Sequence, residues 1–497
     1  MVNGPDPHHL AALITFATLQ TEYQVARDAH TKHFSQEDSM FYEVKPKIRT
    51  FPILDTFARI SVSQERSESI AIALQLHRES QVVHLTIAGN DPVRGDLAGH
   101  LTKIWGKLQV LSSEYAKRER RIGECGENGG TNSNETVRSI IVAIFREIHE
   151  FSIQKLVKRV KKWWRDLVIL VQELCKRRGG QLQGIELNLM HVVTGFAEGL
   201  LLLDRLRNKE ETPLTEIEWE TIYKESAWAY SKARLVLADG NGSGCENLAK
   251  EFQDTHPGRP FQLRRALEKL TSLTRHAQWL TAYAKSPHLR FSLRYQLSVS
   301  VVPQQTRTVI LPTSQDNWNS ILEAVGVEFK NHRGSDSRLL FEHFHEINHQ
   351  CPVHCECKVI QHLEAKHKNQ WDIVAPCSYI AVSKPTCAAC KIWIEAFNRL
   401  GGRKFHVRGS DDGKWVWPWA MPTLKEESLE ESLVGEFSEQ YLVSQRVVSF
   451  EWDWSRSLQP SSWSSTGGAY CRPTEAELLV SPEARLRMLD RYISLTP

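Results

Sequence analysis

The distribution of cysteine along this chain constrains its fold and chemistry more than any other sequence feature. The chain has 497 residues and ten cysteines. Six of these fall between residues 351 and 390, where an even distribution would place about one. They are Cys351, Cys355, Cys357, Cys377, Cys387 and Cys390. In a reducing compartment such a cluster is more often metal-binding or catalytic than a disulfide framework, so it predicts a metal or thiol site.

The remaining composition is that of an ordinary soluble protein. Hydrophobic residues make up 41% and charged residues 24%, which excludes a largely disordered, collagen-like or polytopic membrane protein. The net charge of +3 makes no case for a nucleic-acid partner by itself. Residues 1–9 lack the pattern of a secretory signal, and the richest aliphatic run, 199–203, is far shorter than a membrane span. We therefore expect an intracellular protein, cytoplasmic or nuclear, without a membrane partner.

The first part of the chain predicts mainly helices, because its apolar residues recur at spacings of three and four. The stretches 137–148 and 261–280 are clear examples. Residues 126–136, which precede the first of these stretches, contain no apolar residue and predict a linker or loop. We expect a helical N-terminal region at 1–125 and a second helical region at 137–285. Their role is open, and contact with a protein partner is one candidate.

The hydrophobic period changes at Leu289, where apolar and polar residues begin to alternate up to Val301. This alternation predicts a strand that forms a hairpin with a second strand at 306–311. Further elements are predicted in the order helix, helix, helix, strand, helix, strand, at 316–329, 336–348, 354–366, 379–382, 387–400 and 405–407. The order predicts an α/β domain at 288–422, followed by a C-terminal extension at 423–497.

Within this domain one sequence pattern carries a specific chemistry. His354 and Glu356 form an H-x-E motif, and Cys387 and Cys390 form a C-x-x-C motif that begins 31 residues after Glu356. One histidine and two thiolates fill three positions of a tetrahedral Zn²⁺ and leave the fourth for water, whose pKa zinc lowers from about 15.7 toward 7. Base deaminases combine this ligand set with a carboxylate that does not bind the metal. The pattern predicts zinc-bound hydroxide as nucleophile and Glu356 as proton shuttle.

These motifs, together with the stretches 379–384, 405–410 and 419–422, resemble the OTT-type branch of the cytidine deaminase-like superfamily, found in bacterial toxins and fungal proteins. The resemblance covers residues 290–425. It implies an α+α/β protein: a mostly helical N-terminal region, then a three-layer α/β/α domain with a five-stranded mixed sheet. It also implies a nucleic-acid or nucleotide substrate. The superfamily pattern places proline directly before the first cysteine, whereas Thr386 intervenes here, so we expect the loop that contacts the base to differ from that pattern.

Candidate substrate-binding residues are His406, Trp415, Trp419 and Ser383. Flipped bases stack on aromatic rings, although Trp417 and Trp419 are equally good candidates for closing the core. Two basic stretches, 117–121 and 155–165, are candidates for phosphate contacts, although charge runs on helices are more often solvated faces.

Three alternatives stay open at the level of sequence. The zinc can be structural, with Cys351, Cys355 or Cys357 completing its coordination. The C-x-x-C motif can belong to a thiol redox site. The domain can also be an inactive deaminase-like module that binds protein or nucleic acid. The base that is deaminated, cytosine or adenine, is not indicated.

Overall fold

The computed structural model describes residues 5–16, 51–64, 68–125, 132–207, 213–238, 243–256, 261–326, 342–344, 348–365, 367–408, 416–423 and 427–454. The described chain divides into two compact units. The first unit comprises residues 5–16, 51–59, 68–98 and the described residues from 296 onward. The second comprises 60–64 and the described residues between 99 and 295. In sequence, the described residues of the second unit therefore form two segments that interrupt the first unit.

The strands all belong to the first unit. In chain order they are β1 (Ile70–His77), β2 (Val82–Gly89), β3 (Gln296–Val301), β4 (Thr306–Ile310), β5 (Asn348–Pro352), β6 (Tyr379–Val382) and β7 (His406–Val407). Five of them form one sheet in the order β3-β2-β1-β6-β7. β1 is antiparallel to β2 and β6, whereas the β2–β3 and β6–β7 pairs are parallel. The predicted five-stranded mixed sheet is confirmed.

Helices account for most of the remaining chain. In chain order they are α1 (7–16), α2 (Pro52–Ile60), α3 (Leu97–Cys125), α4 (Asn132–Phe151), α5 (Ile153–Arg177), α6 (Gly184–Arg207), α7 (Glu216–Ala238), α8 (Ser243–Thr255), α9 (Leu263–Leu270), α10 (Ser272–Lys285), α11 (Gln315–Ala324), α12 (Cys355–Glu364), α13 (Ala388–Arg399) and α14 (Glu427–Trp454). Helices α4 to α10 lie in the second unit, which is helical as predicted.

The side chains of successive β6 residues point to opposite faces of the sheet, and helices pack on both faces. Ile380 and Val382 belong to the core that includes buried residues of α12 and α13. Tyr379 points to the opposite face, as neighbouring strand residues do, and its hydroxyl donates to the buried carboxylate of Asp55 on α2 at 2.8 Å. The sheet is thus covered on both faces, and the predicted fold class, α+α/β, is confirmed.

Two strands of this sheet come from a region that was predicted to be helical. β1 and β2 form a hairpin within residues 1–125, and most residues of both strands are buried. A strand covered on both faces reads as a nearly continuous apolar run, which periodicity cannot distinguish from a buried helix. The unit that carries the sheet therefore extends well beyond the predicted range 288–422.

The predicted hairpin between 289–301 and 306–311 is wrong. Residues Arg290–Arg294 form a 3-10 helix, and β3 pairs in parallel with β2 rather than with β4. β4 pairs with β5 instead. The alternating apolar residues did not mark one buried face, because Leu289 and Phe291 are exposed and only Leu293 is buried.

Several other predicted elements can be compared with the structure. Strand 379–382 and the helices near 316, 354 and 387 are present as β6, α11, α12 and α13. The predicted helix 336–348 lies mostly outside the described residues, and Asn348 begins β5. Residues 126–131 of the predicted linker and residues 455–497 of the C-terminal extension also lie outside. Residues 132–136, predicted as linker, begin α4 instead.

Part of the predicted C-terminal extension belongs to the core. Leu429, Leu433 and Phe437 on α14 are buried in the core of the first unit. Among the described residues, no helix combines the length and apolarity that crossing a membrane requires.

Candidate active site

Two helix N-termini in the first unit bring four predicted site residues together. His354 directly precedes α12, and Glu356 lies in its first turn. Cys387 precedes α13 in the same way, and Cys390 lies in that helix's first turn. All four residues are buried, and their ligand atoms lie within 4.8 Å of one another. Within the described part of the chain, this is the one cluster of His, Cys, Asp and Glu side chains suited to a metal.

The distances fit a zinc ion. Nδ1 of His354 lies 3.5 Å from Sγ of Cys387 and 3.3 Å from Sγ of Cys390. Ordinary Zn–S and Zn–N bonds at a tetrahedral angle would separate a sulfur from a nitrogen by about 3.6 Å. One imidazole nitrogen and two sulfurs are also a donor set that zinc prefers. The residues present therefore fit a zinc ion with little rearrangement.

A backbone carbonyl fixes the orientation of the His354 ring. Nε2 lies 3.2 Å from the carbonyl oxygen of Pro418, so Nε2–H donates to that oxygen and the ring presents Nδ1 to the two sulfurs. Ligating histidines are commonly held by such a bond through their other nitrogen. Two further hydrogen bonds hold the segment around Pro418 in place. The Ala420 N–H donates to the Pro352 carbonyl, and Arg307 Nη1 donates to the Met421 carbonyl.

The proposed proton shuttle, Glu356, is buried and contacts a neighbouring thiol. Sγ of Cys355 donates to Oε2 of Glu356 at 3.1 Å. Burial, followed by the charge of Glu356, raises the pKa of Cys355 well above its ordinary value. This thiol consequently stays protonated at neutral pH and serves as a donor to the carboxylate.

The other cysteines between residues 351 and 390 do not join the four-residue cluster. Burial raises the pKa of Cys357 to about 11, and its thiol is hydrogen-bonded to Cys390. Burial likewise raises the pKa of Cys351 to about 11. Glu356, rather than one of these cysteines, is the fourth member of the candidate metal cluster.

The electrostatics show that the ligand atoms hold protons in the absence of a metal. Hydrogen bonding to Cys390 and burial raise the pKa of Cys387 well above its ordinary value, and burial does the same for Cys390. Burial by itself would lower the pKa of His354, but Cys387, Glu356 and Pro418 raise it to about 9. A divalent cation replaces these protons when it binds, because thiolates and neutral imidazole are the ligand forms.

Sequence reasoning missed two residues that hold α12 in place. Oδ1 of Asn90 accepts from the Cys355 N–H at 2.7 Å, and the buried Lys358 donates to the Gly89 carbonyl at 2.6 Å. Gly89 and Asn90 lie at the end of β2, which is far from the motif in sequence. No local pattern reports such a contact, since it depends on the pairing of distant strands.

Three of the four predicted substrate-binding residues, Ser383, His406 and Trp419, lie within the described chain. The Ser383 hydroxyl accepts from the Ile70 N–H at 2.9 Å, which joins the ends of β6 and β1. His406 is half-buried in β7. Trp419 is fully buried and packs against His8 and Phe437, as a core residue does, whereas a base contact would need an exposed ring face. Trp415 lies outside the described residues.

Comparison with known proteins gives one finding. Residues 353–423 match the family model described as OTT_1508-like deaminase, which confirms the resemblance seen in the sequence. No curated protein and no solved structure shows a significant match.

Proposed function

We propose that the first unit, whose residues 353–423 match the OTT_1508-like deaminase model, is a zinc-dependent enzyme that hydrolytically deaminates a cytosine or adenine base in nucleic acid or a nucleotide. The observation that carries this proposal is the convergence of His354 Nδ1 and the sulfurs of Cys387 and Cys390 beside the buried Glu356. Three ligands leave one coordination position open, as catalytic zinc sites require.

The residues have distinct roles in this reaction. His354, Cys387 and Cys390 would hold the zinc, which when bound acidifies water and supplies a nucleophile at neutral pH. Glu356 takes a proton from the attacking water and delivers protons first to the ring nitrogen and then to the departing amine. Water and the amino base thus become ammonia and the oxo base. The Cys355 thiol orients the Glu356 carboxylate through their 3.1 Å contact.

The competing proposal is an inactive module with structural zinc. The specific observation that favours it is that Glu356 lies close enough to the other three side chains to serve as a fourth ligand, which would close the coordination sphere. The two proposals assign opposite consequences to the loss of this carboxylate. If Glu356 moves protons, its loss abolishes turnover without loss of zinc, whereas a ligand's loss releases the metal.

The deciding experiment compares Glu356→Gln with wild type and with the matched control Glu364→Gln, which alters an exposed carboxylate on the same helix. Zinc content and ammonia release are measured with nucleosides, nucleotides, RNA and single-stranded DNA. We expect Glu356→Gln to keep its zinc and to lose at least about a hundred-fold in rate, with Glu364→Gln active. The enzyme proposal is rejected if zinc-loaded wild type releases no ammonia from any of these substrates.

A further inference from the structure

The second unit is basic although the whole chain is almost neutral. Residues 99–295 hold 32 Lys+Arg and 23 Asp+Glu, a surplus of +9, whereas the complete chain has a net charge of +3. The rest of the chain therefore carries −6. A surplus confined to one unit indicates a local role for positive charge, such as attraction of a polyanion.

Much of this charge lies on one face of α5. Between residues 155 and 165 the helix has six basic residues and no acidic one; they are Lys155, Lys158, Arg159, Lys161, Lys162 and Arg165. At 100° per residue all six fall within less than half of the helix circumference. Lys161 and Arg165 are exposed, and neither forms an ion pair within the described part of the chain. The stripe from residue 155 to 165 is about 15 Å long.

The opposite face of α5 packs into the core of the second unit. Leu156, Val160, Trp164 and Leu167 are buried there, so α5 has no apolar face available to enter a lipid bilayer. The neighbouring helix α9 continues the positive character, since it carries three basic residues and one acidic one. The surface thus offers charge and hydrogen-bond donors, which is the chemistry that recognises phosphates.

We propose that the basic face of α5 binds the sugar-phosphate backbone of a nucleic acid, and that the protein consequently acts on bases within a polynucleotide rather than on free nucleotides. This inference rests on the proposed function for its substrate class. A stripe of about 15 Å matches the rise of roughly four nucleotides of one strand. The contacts are to phosphates, so they supply affinity and position and do not select the base.

The test measures binding of labelled single-stranded RNA and DNA, of mixed sequence and about 30 nucleotides, to the full-length protein by fluorescence anisotropy at several salt concentrations. The variant is Lys161→Glu with Arg165→Glu. We expect affinity to fall about ten-fold or more and the slope of log affinity against log salt to drop by about 1.4, which corresponds to two lost phosphate contacts.

The matched control is Lys117→Glu with Arg120→Glu on α3, which changes the charge by the same amount. Its basic stretch is interleaved with acidic residues, and Lys117 is paired with Glu114 at 2.6 Å. We expect this control to bind oligonucleotides like wild type. Equal losses in both variants, no loss in the α5 variant, or wild type that binds phosphatidylserine vesicles but no oligonucleotide would overturn the inference.

A second measurement separates this inference from the proposed function. The binding assay is repeated with Glu356→Gln protein, which needs no catalysis to bind. Binding that depends on α5 supports the inference even if no deamination is ever detected. If deamination is detected, the α5 variant should lose activity on oligonucleotides and keep it on mononucleotides, and equal activity of variant and wild type on oligonucleotides contradicts the inference.

Discussion

The ammonium group of Lys358 lies 2.6 Å from the carbonyl oxygen of Gly89, although the lysine is completely buried. Burial lowers the pKa of this lysine, while Cys355 and Asp91 act in the opposite direction. The bond joins the first turns of α12, which carries Glu356, to the end of β2. Together with the Asn90–Cys355 bond it fixes the position of the helix that presents the site.

We expect Lys358→Ala to lower the free energy of unfolding by about 3 kcal/mol, because it leaves both a cavity and an unpaired buried carbonyl. Lys358→Met should cost about 1 kcal/mol, since it fills the space and removes a buried charge. Urea unfolding of the purified chain measures both, with Lys391→Ala on the exposed face of α13 as a neutral control. Equal stability of the alanine and methionine variants would contradict this account of the buried side chain.

The predicted domain range 288–422 is not expected to fold by itself. β1 lies between β2 and β6, and β2 lies between β1 and β3, so a fragment without residues 70–89 lacks two neighbouring strands of the sheet. In the fragment β3 has lost its partner β2, and β6 keeps β7 but exposes the edge that pairs with β1. Such unpaired edges favour aggregation. Circular dichroism, solubility and zinc content of this fragment, compared with the full chain, check the prediction. Cooperative unfolding together with a full complement of zinc in the fragment would refute it.

The candidate site was predictable because each half of it is local. H-x-E and C-x-x-C each lie at the start of a helix, and the residue types and short spacings within each motif reflect the chemistry directly. The supporting contacts were not predictable in this way. Ser383 meets Ile70, and Lys358 meets Gly89, across about 310 and 270 residues of sequence. Such contacts follow from strand pairing, and the apolar runs of β1 and β2 carry no period that distinguishes a strand from a helix.

The second unit should become less stable in mild acid because of His149. This residue is buried, its Nδ1–H donates to the Phe145 carbonyl at 2.9 Å, and burial lowers its pKa to about 4. In the unfolded chain the pKa is about 6.5. The folded pKa lies below the unfolded one, so the unfolded chain takes up the proton first as pH falls. The stability contributed by neutral His149 is complete above pH 6.5 and is lost progressively toward pH 4, by about 3 kcal/mol in total.

Replacement of the imidazole tests this assignment. His149→Asn keeps a donor for the Phe145 carbonyl but cannot titrate, so the fall in unfolding free energy between pH 7 and pH 4 should become smaller than in wild type. Urea unfolding at several pH values measures it, with the exposed His288→Asn as control. His84, whose pKa burial also lowers to about 4, will leave a residual dependence. An unchanged pH profile in the His149 variant would show that another group is responsible.

Zinc binding should depend on Cys387 and Cys390 and should not depend on Cys351. Cys390→Ser replaces a sulfur that lies 3.3 Å from His354 Nδ1, so we expect zinc affinity to fall by two orders of magnitude or more, since a hydroxyl is a poor ligand for this metal. Cys387→Ser should behave alike. Cys351→Ala changes a buried thiol outside the cluster and should retain stoichiometric zinc.

The measurement is elemental analysis of the purified variants, combined with competition against a chelator. Because metal binding and folding are coupled, removal of zinc should also lower the unfolding temperature of wild type and have no further effect on Cys390→Ser. Loss of zinc from Cys351→Ala would instead indicate a structural site that uses the other cysteines. Retention of zinc by both serine variants would show that Cys387 and Cys390 are not its ligands, and would contradict the proposed zinc chemistry beside Glu356.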